Sequence, residues 1–345
     1  MSEQQPVIDF LSRAASYGDP LGQVECIETH GSLIFLHGQC AYKLKRAIAY
    51  AALDYLSLAS RERACFAELH LNRRTAPNLY LGVRSITRGA DGQLRFDGAG
   101  EVIDWVVVMR RFPQQALLER MAASGRLSTA LMEDLGARIA RFHAEAEVTP
   151  NFGGAAGIRQ AIEDNHQELC RYPRLLPPAA VRALYHTSHS ALEGQARLLD
   201  QRRDQGRVRR CHGDLRLANI CLFEGQPTLF DGVEFCERIA CIDTLYDLAF
   251  LLMDLQHHEQ VELGARLLDS YLRHSGAPED CRPLPLFLSL RAATRCYTLA
   301  CSAMRQRTPL DAQRKARQAR ALLQQAKADL YGDSPLLTSV RQGRC

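Results

Sequence analysis

The segment Arg210-Cys211-His212-Gly213-Asp214-Leu215-Arg216-Leu217-Ala218-Asn219-Ile220 constrains this chain more than any other stretch. It has the form H-x-D-L-x-x-x-N, and two short apolar runs follow it at once, Ile220–Phe223 and Thr228–Phe230. Between them lies the turn signal Glu224-Gly225-Gln226-Pro227, so the pair reads as a β-hairpin. In an antiparallel pair the numbers of opposed positions have a constant sum. A turn centred near Gly225 and Gln226 therefore sets Asn219 opposite Asp231. A carboxamide and a carboxylate side by side are hard oxygen ligands of the kind Mg²⁺ prefers. Glu234 is close enough to be a further ligand or to hold one in place.

The spacing of five from Asp214 to Asn219 is that of the protein-kinase catalytic loop. The chemistry explains it. The Asp must sit beside a hydroxyl to orient it and accept its proton. The Asn must turn back to a metal at the phosphates. Asp231-Gly232 stands where a kinase carries Asp-Phe-Gly. His-Gly-Asp and Asp-Gly are each common as plain turns, so the reading rests on the conjunction of loop, spacing, hairpin and second Asp. His212, Asp214 and Arg216 are the catalytic candidates; Asn219, Asp231 and Glu234 are the metal candidates.

Such a site needs a cation for the α- and β-phosphates on the third strand of a small β-rich lobe. The pattern supplies that strand. Val24–Thr29, Leu33–Leu36 and Cys40–Arg46 read as a three-stranded meander, with turns at His30-Gly31-Ser32 and Gly38-Gln39. Lys43 is the candidate. Ala41, two residues earlier, shares its face and leaves room for an adenine ring. Lys45 shares that face too and is the rival; the plain alternative for either is a solvated lysine on an edge strand. A helix over about 60–75, with Phe66, Leu69 and Leu71 apolar, offers Glu68 as the carboxylate that fixes the lysine, with Glu62 as second choice. Further strands are expected at Leu79–Val83 and Val102–Met109. The first turn has one glycine rather than a Gly-rich run, and there the Ser32 hydroxyl and backbone amides are the phosphate contacts. No GxxxxGK[ST] occurs, which excludes the P-loop kinases.

From Gln114 the pattern turns helical, with helices expected over about 127–146, 155–172, 179–204, 257–274, 284–303 and 311–330. The expected fold class is α+β and bilobal: an N-lobe over 1–111, a helical C-lobe over 112–335 and a tail over 336–345. At 345 residues the chain exceeds what one core usually supports. The net charge of +4 is spread along it, which argues against nucleic acid as a partner. The arginines at 202–210 read as a solvated helix end and linker. Twelve scattered cysteines, without a CxxC pair or a signal peptide, point to reducing cytosol and away from a disulfide scaffold or a structural zinc. The longest apolar stretch, Leu248–Met253, is far too short to span a membrane.

HGDLRLANICLF, LFDGVEF and CIDTLYDLAFLLMDL resemble the aminoglycoside phosphotransferase family of the protein-kinase-like superfamily. THGSLIFLHGQCAYKLKRAI, ELHLNRRTAPNLYLGV and the RAATRC stretch at 291–296 are similar to a bacterial branch of it, in which a P-loop ATPase domain often follows. The resemblance covers most of 20–305. It implies a protein-kinase-like fold, with ATP near a hinge at Met109–Phe112, Asp214 as base and Asn219 and Asp231 on Mg²⁺. It also implies that Asp247 braces the loop, with Asp243 in competition. Arg216 departs from the histidine common in the family, and is compatible with a charge-stabilising role near the transferred phosphate. The chain ends at Cys345 without a P-loop domain, so a separate P-loop ATPase is an expected partner for any function that needs one. The expected function is ATP-dependent phosphorylation of a small hydroxyl compound. The alternatives are a protein kinase, against which the absence of Ala-Pro-Glu counts, and a nucleotide-binding regulatory module. Glu163, Asp164, Glu168 and Glu193 are offset by at least as many cations, so no acidic pocket for an aminoglycoside is expected.

Overall fold

The computed structural model describes residues 4–29, 31–50, 53–276, 281–306 and 308–342. The chain divides into two compact units, one of residues 1–117 with 221–237 and one of 118–220 with 238–345.

The first unit opens with α1 (Gln5–Leu11), then β1 (Glu25–Glu28), β2 (Ser32–His37) and β3 (Cys40–Lys45). A ribbon of β4 (Ala49–Tyr50) and β5 (Leu53–Asp54) leads to α2 (Leu58–Asn72), followed by β6 (Tyr80–Arg88), β7 (Leu94–Phe96) and β8 (Glu101–Arg110). Six strands form an antiparallel sheet in the order β1-β2-β3-β8-β6-β7. The period-two alternation of β3 sorts its side chains between two cores. Tyr42 and Leu44 pack with Phe35, Val106, Val108 and the α1 residues Val7 and Leu11. Ala41 packs on the opposite face with Val107, Met109, Tyr80 and Cys65 of α2. Lys43 and Lys45 share the Ala41 face by spacing. β3 is thus an interior strand, not the edge strand on which a solvated lysine was conceivable. His30 lies outside the described residues, and Ser32 begins β2 opposite Lys45. Phe66 is 47% exposed on α2 and meets Trp105 edge-on, so the expected apolar face of that helix is displaced toward Ala64, Cys65 and Leu71.

The second unit is helical: α3 (Leu118–Ala123), α4 (Thr129–Glu145), α5 (Gly154–Cys170), α6 (Pro178–Glu193), α7 (Ala196–Asp204), α8 (Glu237–Ala240), α9 (Thr244–His257), α10 (Val261–His274), α11 (Leu284–Met304), α12 (Pro309–Tyr331) and α13 (Pro335–Gln342). The helix expected over 179–204 is two, parted at Gly194-Gln195. The one expected from 257 starts at Val261, after α9 has ended. Most of the expected tail over 336–345 belongs to α13, whose Leu336 and Leu337 are buried. A ribbon of β9 (Val208–Arg210) and β12 (Cys241–Asp243) supports the segment that follows Arg210.

The hairpin of β10 (Ile220–Phe223) and β11 (Gln226–Leu229) turns on Glu224 and Gly225. Both have positive φ, 50° and 77°, as a type I′ turn requires. This turn lies one residue upstream of the expected centre. Asn219 and Asp231 therefore fall just outside the strands rather than opposite each other in the register. The hairpin and Asp231 belong with the sheet unit, whereas the expected N-lobe stopped at 111.

Candidate active site

In the sheet unit, α2 and β3 bring a chain of charges together. Lys43 Nζ donates to Glu68 Oε1 at 2.8 Å and to Asp231 Oδ1 at 2.5 Å. Lys45 Nζ donates to the other Glu68 oxygen at 2.5 Å and to Glu234 Oε1. Tyr55 OH donates to the same Glu234 oxygen at 2.7 Å. Glu68 is fully buried and divides its two oxygens between the lysines; Lys43 and Lys45 are 9% and 2% exposed. Burial alone would push the Glu68 carboxyl up, but the two ammonium groups hold it down at about 2. Burial would likewise lower both lysines. The carboxylates of Asp231 and Glu68 raise Lys43 well above its ordinary value, and those of Glu234 and Glu68 do the same for Lys45. Lys45 is therefore not a surface lysine, and Glu62 has no ion pair among the described residues.

Asp231 adopts φ 61°, a left-handed conformation uncommon for a non-glycine residue and typical of strained functional positions. Its backbone N–H donates to Tyr80 OH at 3.1 Å, and that of Gly232 donates to Asn72 Oδ1 at 2.7 Å. These bonds fix the strained turn. The Asp231 side chain stays 43% exposed, while that of Glu234 is buried against Lys45 and Tyr55. Met109 is the last residue but one of β8, paired with Ala41 and Tyr80, and Ser32 is buried at the start of β2.

In the helical unit, the loop after β9 is held by two aspartates of α9. Asp247 Oδ1 accepts from Gly213 N at 2.9 Å, and Oδ2 accepts from His212 N at 3.1 Å. Oδ2 also meets His143 Nε2 at 3.1 Å, and His143 Nδ1 meets Tyr271 OH at 3.0 Å. Asp254, seven residues on and so on the same helix face, accepts from Leu217 N at 3.0 Å. Asp243 is bonded to Arg202 through both oxygens and caps α9, which decides the bracing role for Asp247. Gly213 takes φ 83°, a conformation that its lack of a Cβ permits.

Asp214 is half-buried. Arg216 donates to it bidentately, Nε to Oδ1 at 2.7 Å and Nη2 to Oδ2 at 3.0 Å. Asn219 Nδ2 donates to Asp214 Oδ2 at 2.7 Å and to its backbone oxygen at 2.9 Å. Burial would raise the Asp214 carboxyl, yet the Arg216 guanidinium, aided by His212 and Arg295, holds it far below the usual carboxylate range. His212 is buried, and its backbone rather than its ring is the group bonded to Asp247.

Sequence reasoning missed Tyr55, Asn72, Tyr80, His143, Asp254 and Tyr271. The Asp247–Asp254 interval of two helical turns was a readable signal. The partners from other elements left none.

A model of the phosphotransferase enzyme family matches residues 59–284. Uncharacterized proteins of Mycobacterium tuberculosis (strain ATCC 25618 / H37Rv) and Mycobacterium bovis (strain ATCC BAA-935 / AF2122/97) are each 28% identical over 276 residues, 79% of this chain and 54% of theirs. The chain thus spans about half the length of the curated relatives it matches. Among solved structures, a choline/ethanolamine kinase family protein from Mesorhizobium loti aligns with 99% of this chain and all of its own, at 14% identity and TM-score 0.55. A thermostable mutant of aminoglycoside phosphotransferase APH(4)-Ia aligns over 92% of this chain and 98% of its own, at 13% identity and TM-score 0.53. These likenesses show a protein-kinase-like fold. With about two thirds of its length matched by the family model, the chain belongs to the phosphotransferase enzyme family.

Proposed function

We propose that this chain transfers the γ-phosphoryl group of ATP to a hydroxyl of a small molecule, with Asp214 as base and Mg²⁺ held by Asn219 and Asp231. The observation that carries the reading is Lys43, a buried lysine gripped by Glu68 and in contact with Asp231. A cation fixed by a helix glutamate and placed against a metal-binding carboxylate is what the β- and γ-phosphates need. In support, a solved ternary complex of the APH(4)-Ia mutant holds AMP-PNP and hygromycin B, with 15% identity to this chain and TM-score 0.50.

The residues fit the ion. Asp231 keeps an exposed carboxylate. Asn219 spends its amide N–H groups on Asp214, and its side-chain carbonyl oxygen has no hydrogen-bond partner among the described residues. That leaves one hard oxygen available on each. Bound Mg²⁺ would neutralise charge on the phosphates. Glu234, committed to Lys45 and Tyr55, serves to fix the turn rather than to bind metal.

Asp214 orients the acceptor hydroxyl. As that oxygen bonds to the γ-phosphorus, the bond to the β,γ-bridging oxygen breaks, ADP departs and the hydroxyl proton passes to Asp214. Arg216 makes Asp214 a weak base, which suits a loose transition state in which proton transfer comes late. Arg216 itself can donate to the transferred group.

The test is Mg²⁺-dependent ADP formation across pools of sugars, amino alcohols, nucleosides and aminoglycosides. Wild type should turn over one pool, and Asp214→Asn should lose about 10²–10⁴-fold in kcat. ATP·Mg²⁺ binding without turnover beyond that of Asp214→Asn in any pool would favour a regulatory module instead.

A further inference from the structure

Arg295 has no role in the chemistry so far. It belongs to the RAATRC stretch and lies on α11, one turn beyond Arg291. Arg291 is buried, donates to Tyr246 O at 3.1 Å, and stacks over Tyr246 and Phe250, its guanidinium carbon 3.8 and 4.7 Å from the ring centres. Arg216 stacks over the same Phe250 ring, at 5.6 Å. One aromatic ring thus joins α11 to the Asp214 loop. On this face Arg295 is half-buried, and its guanidinium has no hydrogen bond or ion pair among the described residues.

The charged groups that act on it are Arg216, Asp254, Asp214 and Glu119. Asp214 is taken by Arg216 and Asn219, and Asp254 by the Leu217 amide. None of the three carboxylates is within ion-pair distance of Arg295. A guanidinium half withdrawn from water, without a hydrogen-bonding partner and in the field of a second guanidinium, is costly. In agreement, burial and the Arg216 charge lower the proton affinity of Arg295. An anion would remove the cost.

We propose that the acceptor carries an oxyanion group, a carboxylate or a phosphate, and that Arg295 binds it beside the Asp214–Arg216 pair. The inference rests on the phosphotransferase reading and narrows its substrate class. The oxyanion is the handle; the nucleophile is a separate hydroxyl on the same molecule. The carboxylates of α5 and α6 agree with it. Glu163 is bonded to Tyr185 and His189, Asp164 is paired with Arg238, Glu168 with Arg171 and Glu193 with Arg159. Each of the four is thus engaged, and the one oxygen without a hydrogen bond, Oε2 of Glu168, is buried rather than open to a cationic acceptor.

The test is calorimetric binding to the full chain of four small probes: glycerol 3-phosphate, glycerate, glycerol and ethanolamine. At least one of the two anions should bind, and glycerol and ethanolamine should not; which anion binds tells phosphate from carboxylate. Arg295→Gln should weaken that binding about tenfold or more, and Arg295→Lys should restore part of it. ATP·Mg²⁺ affinity should stay within about twofold, since the handle belongs to the acceptor. Equal binding of all four probes, or of none, would overturn the proposal. So would Arg295→Gln leaving anion binding intact, or weakening ATP·Mg²⁺, which would make Arg295 a nucleotide ligand. If Arg295→Gln does not fold, the Arg295→Lys comparison decides alone: unchanged anion binding overturns the proposal. Binding needs no turnover, so a failure here is separable from a failure of phosphoryl transfer.

Discussion

At the residue scale, Arg216 decides how basic Asp214 is. Its two hydrogen bonds hold the carboxyl down, so Asp214 stays ionised through the acid range. The active form of a base exists above its pKa. Removing Arg216 removes the main opposition to burial, so the pKa must rise. In Arg216→Ala the acid limb of the pH profile of kcat/KM should therefore move to higher pH, and an unmoved limb would mean that Asp214 is not the titrating base. The two lysines separate differently. Lys43→Met should raise the KM for ATP·Mg²⁺. Lys45→Met removes the cation from Glu234, leaving it Tyr55 alone, and from one oxygen of Glu68, and should cost about 3–5 kcal/mol, as breaking buried ion pairs does. Equilibrium urea unfolding of both variants checks this. The Asp214, Asn219 and Lys43 candidates were legible because their spacing or strand position was visible along one segment. The partnership of Lys45 with Glu234 and Tyr55 was not, since it joins residues 189 and 10 positions away.

At the element scale, α9 is the brace of the Asp214 loop. Its apolar run buries the helix almost all round. On that helix Asp247 and Asp254 present carboxylates two turns apart to three loop amides. Each buried amide left without its acceptor costs about 1–3 kcal/mol. Asp254→Leu should leave the Leu217 amide unpaired, lowering stability by about that amount and kcat more than the KM for ATP·Mg²⁺. A melting curve with steady-state kinetics tests both. If kcat holds while stability falls, α9 supports the fold but not the geometry of the loop. The helices themselves were legible to within a few residues from their periodicity. The break at Gly194-Gln195 was not, because the apolar pattern of α6 resumes in α7, with Leu192 and Leu199 both buried. The hairpin turn was displaced by one residue because Glu224 accepts a left-handed backbone that the sequence alone gave no reason to expect.

At the scale of the whole molecule, the chain leaves its sheet unit at 117 and returns to it over 221–237, so that Asp231 and Glu234 are held by β3 and α2 rather than by the helices that surround their loop in sequence. No composition shift marked that return. Among the described residues no helix is long and apolar enough to cross a membrane, and no cysteine forms a disulfide. Global stability carries one strong pH signature in the helical unit. Asp329 of α12 is fully buried, with Gln256 Nε2 donating to it at 3.0 Å. Burial pushes its carboxyl from 3.8 up to about 6, and the hydrogen bond from Gln256, whose own carbonyl oxygen accepts from Ser334, offsets this only in part. Between those values the folded chain holds a proton that the unfolded chain has lost. The stabilisation is complete below about pH 3.8 and is lost as pH rises through 6, a swing on the order of 2–3 kcal/mol. Asn mimics the protonated acid and can still accept from Gln256. Asp329→Asn should therefore raise the melting temperature at pH 7.5, and its advantage should shrink steadily toward pH 4. Melting curves of wild type and variant across that range decide it, and a gain independent of pH would mean that Asp329 is already ionised at pH 4.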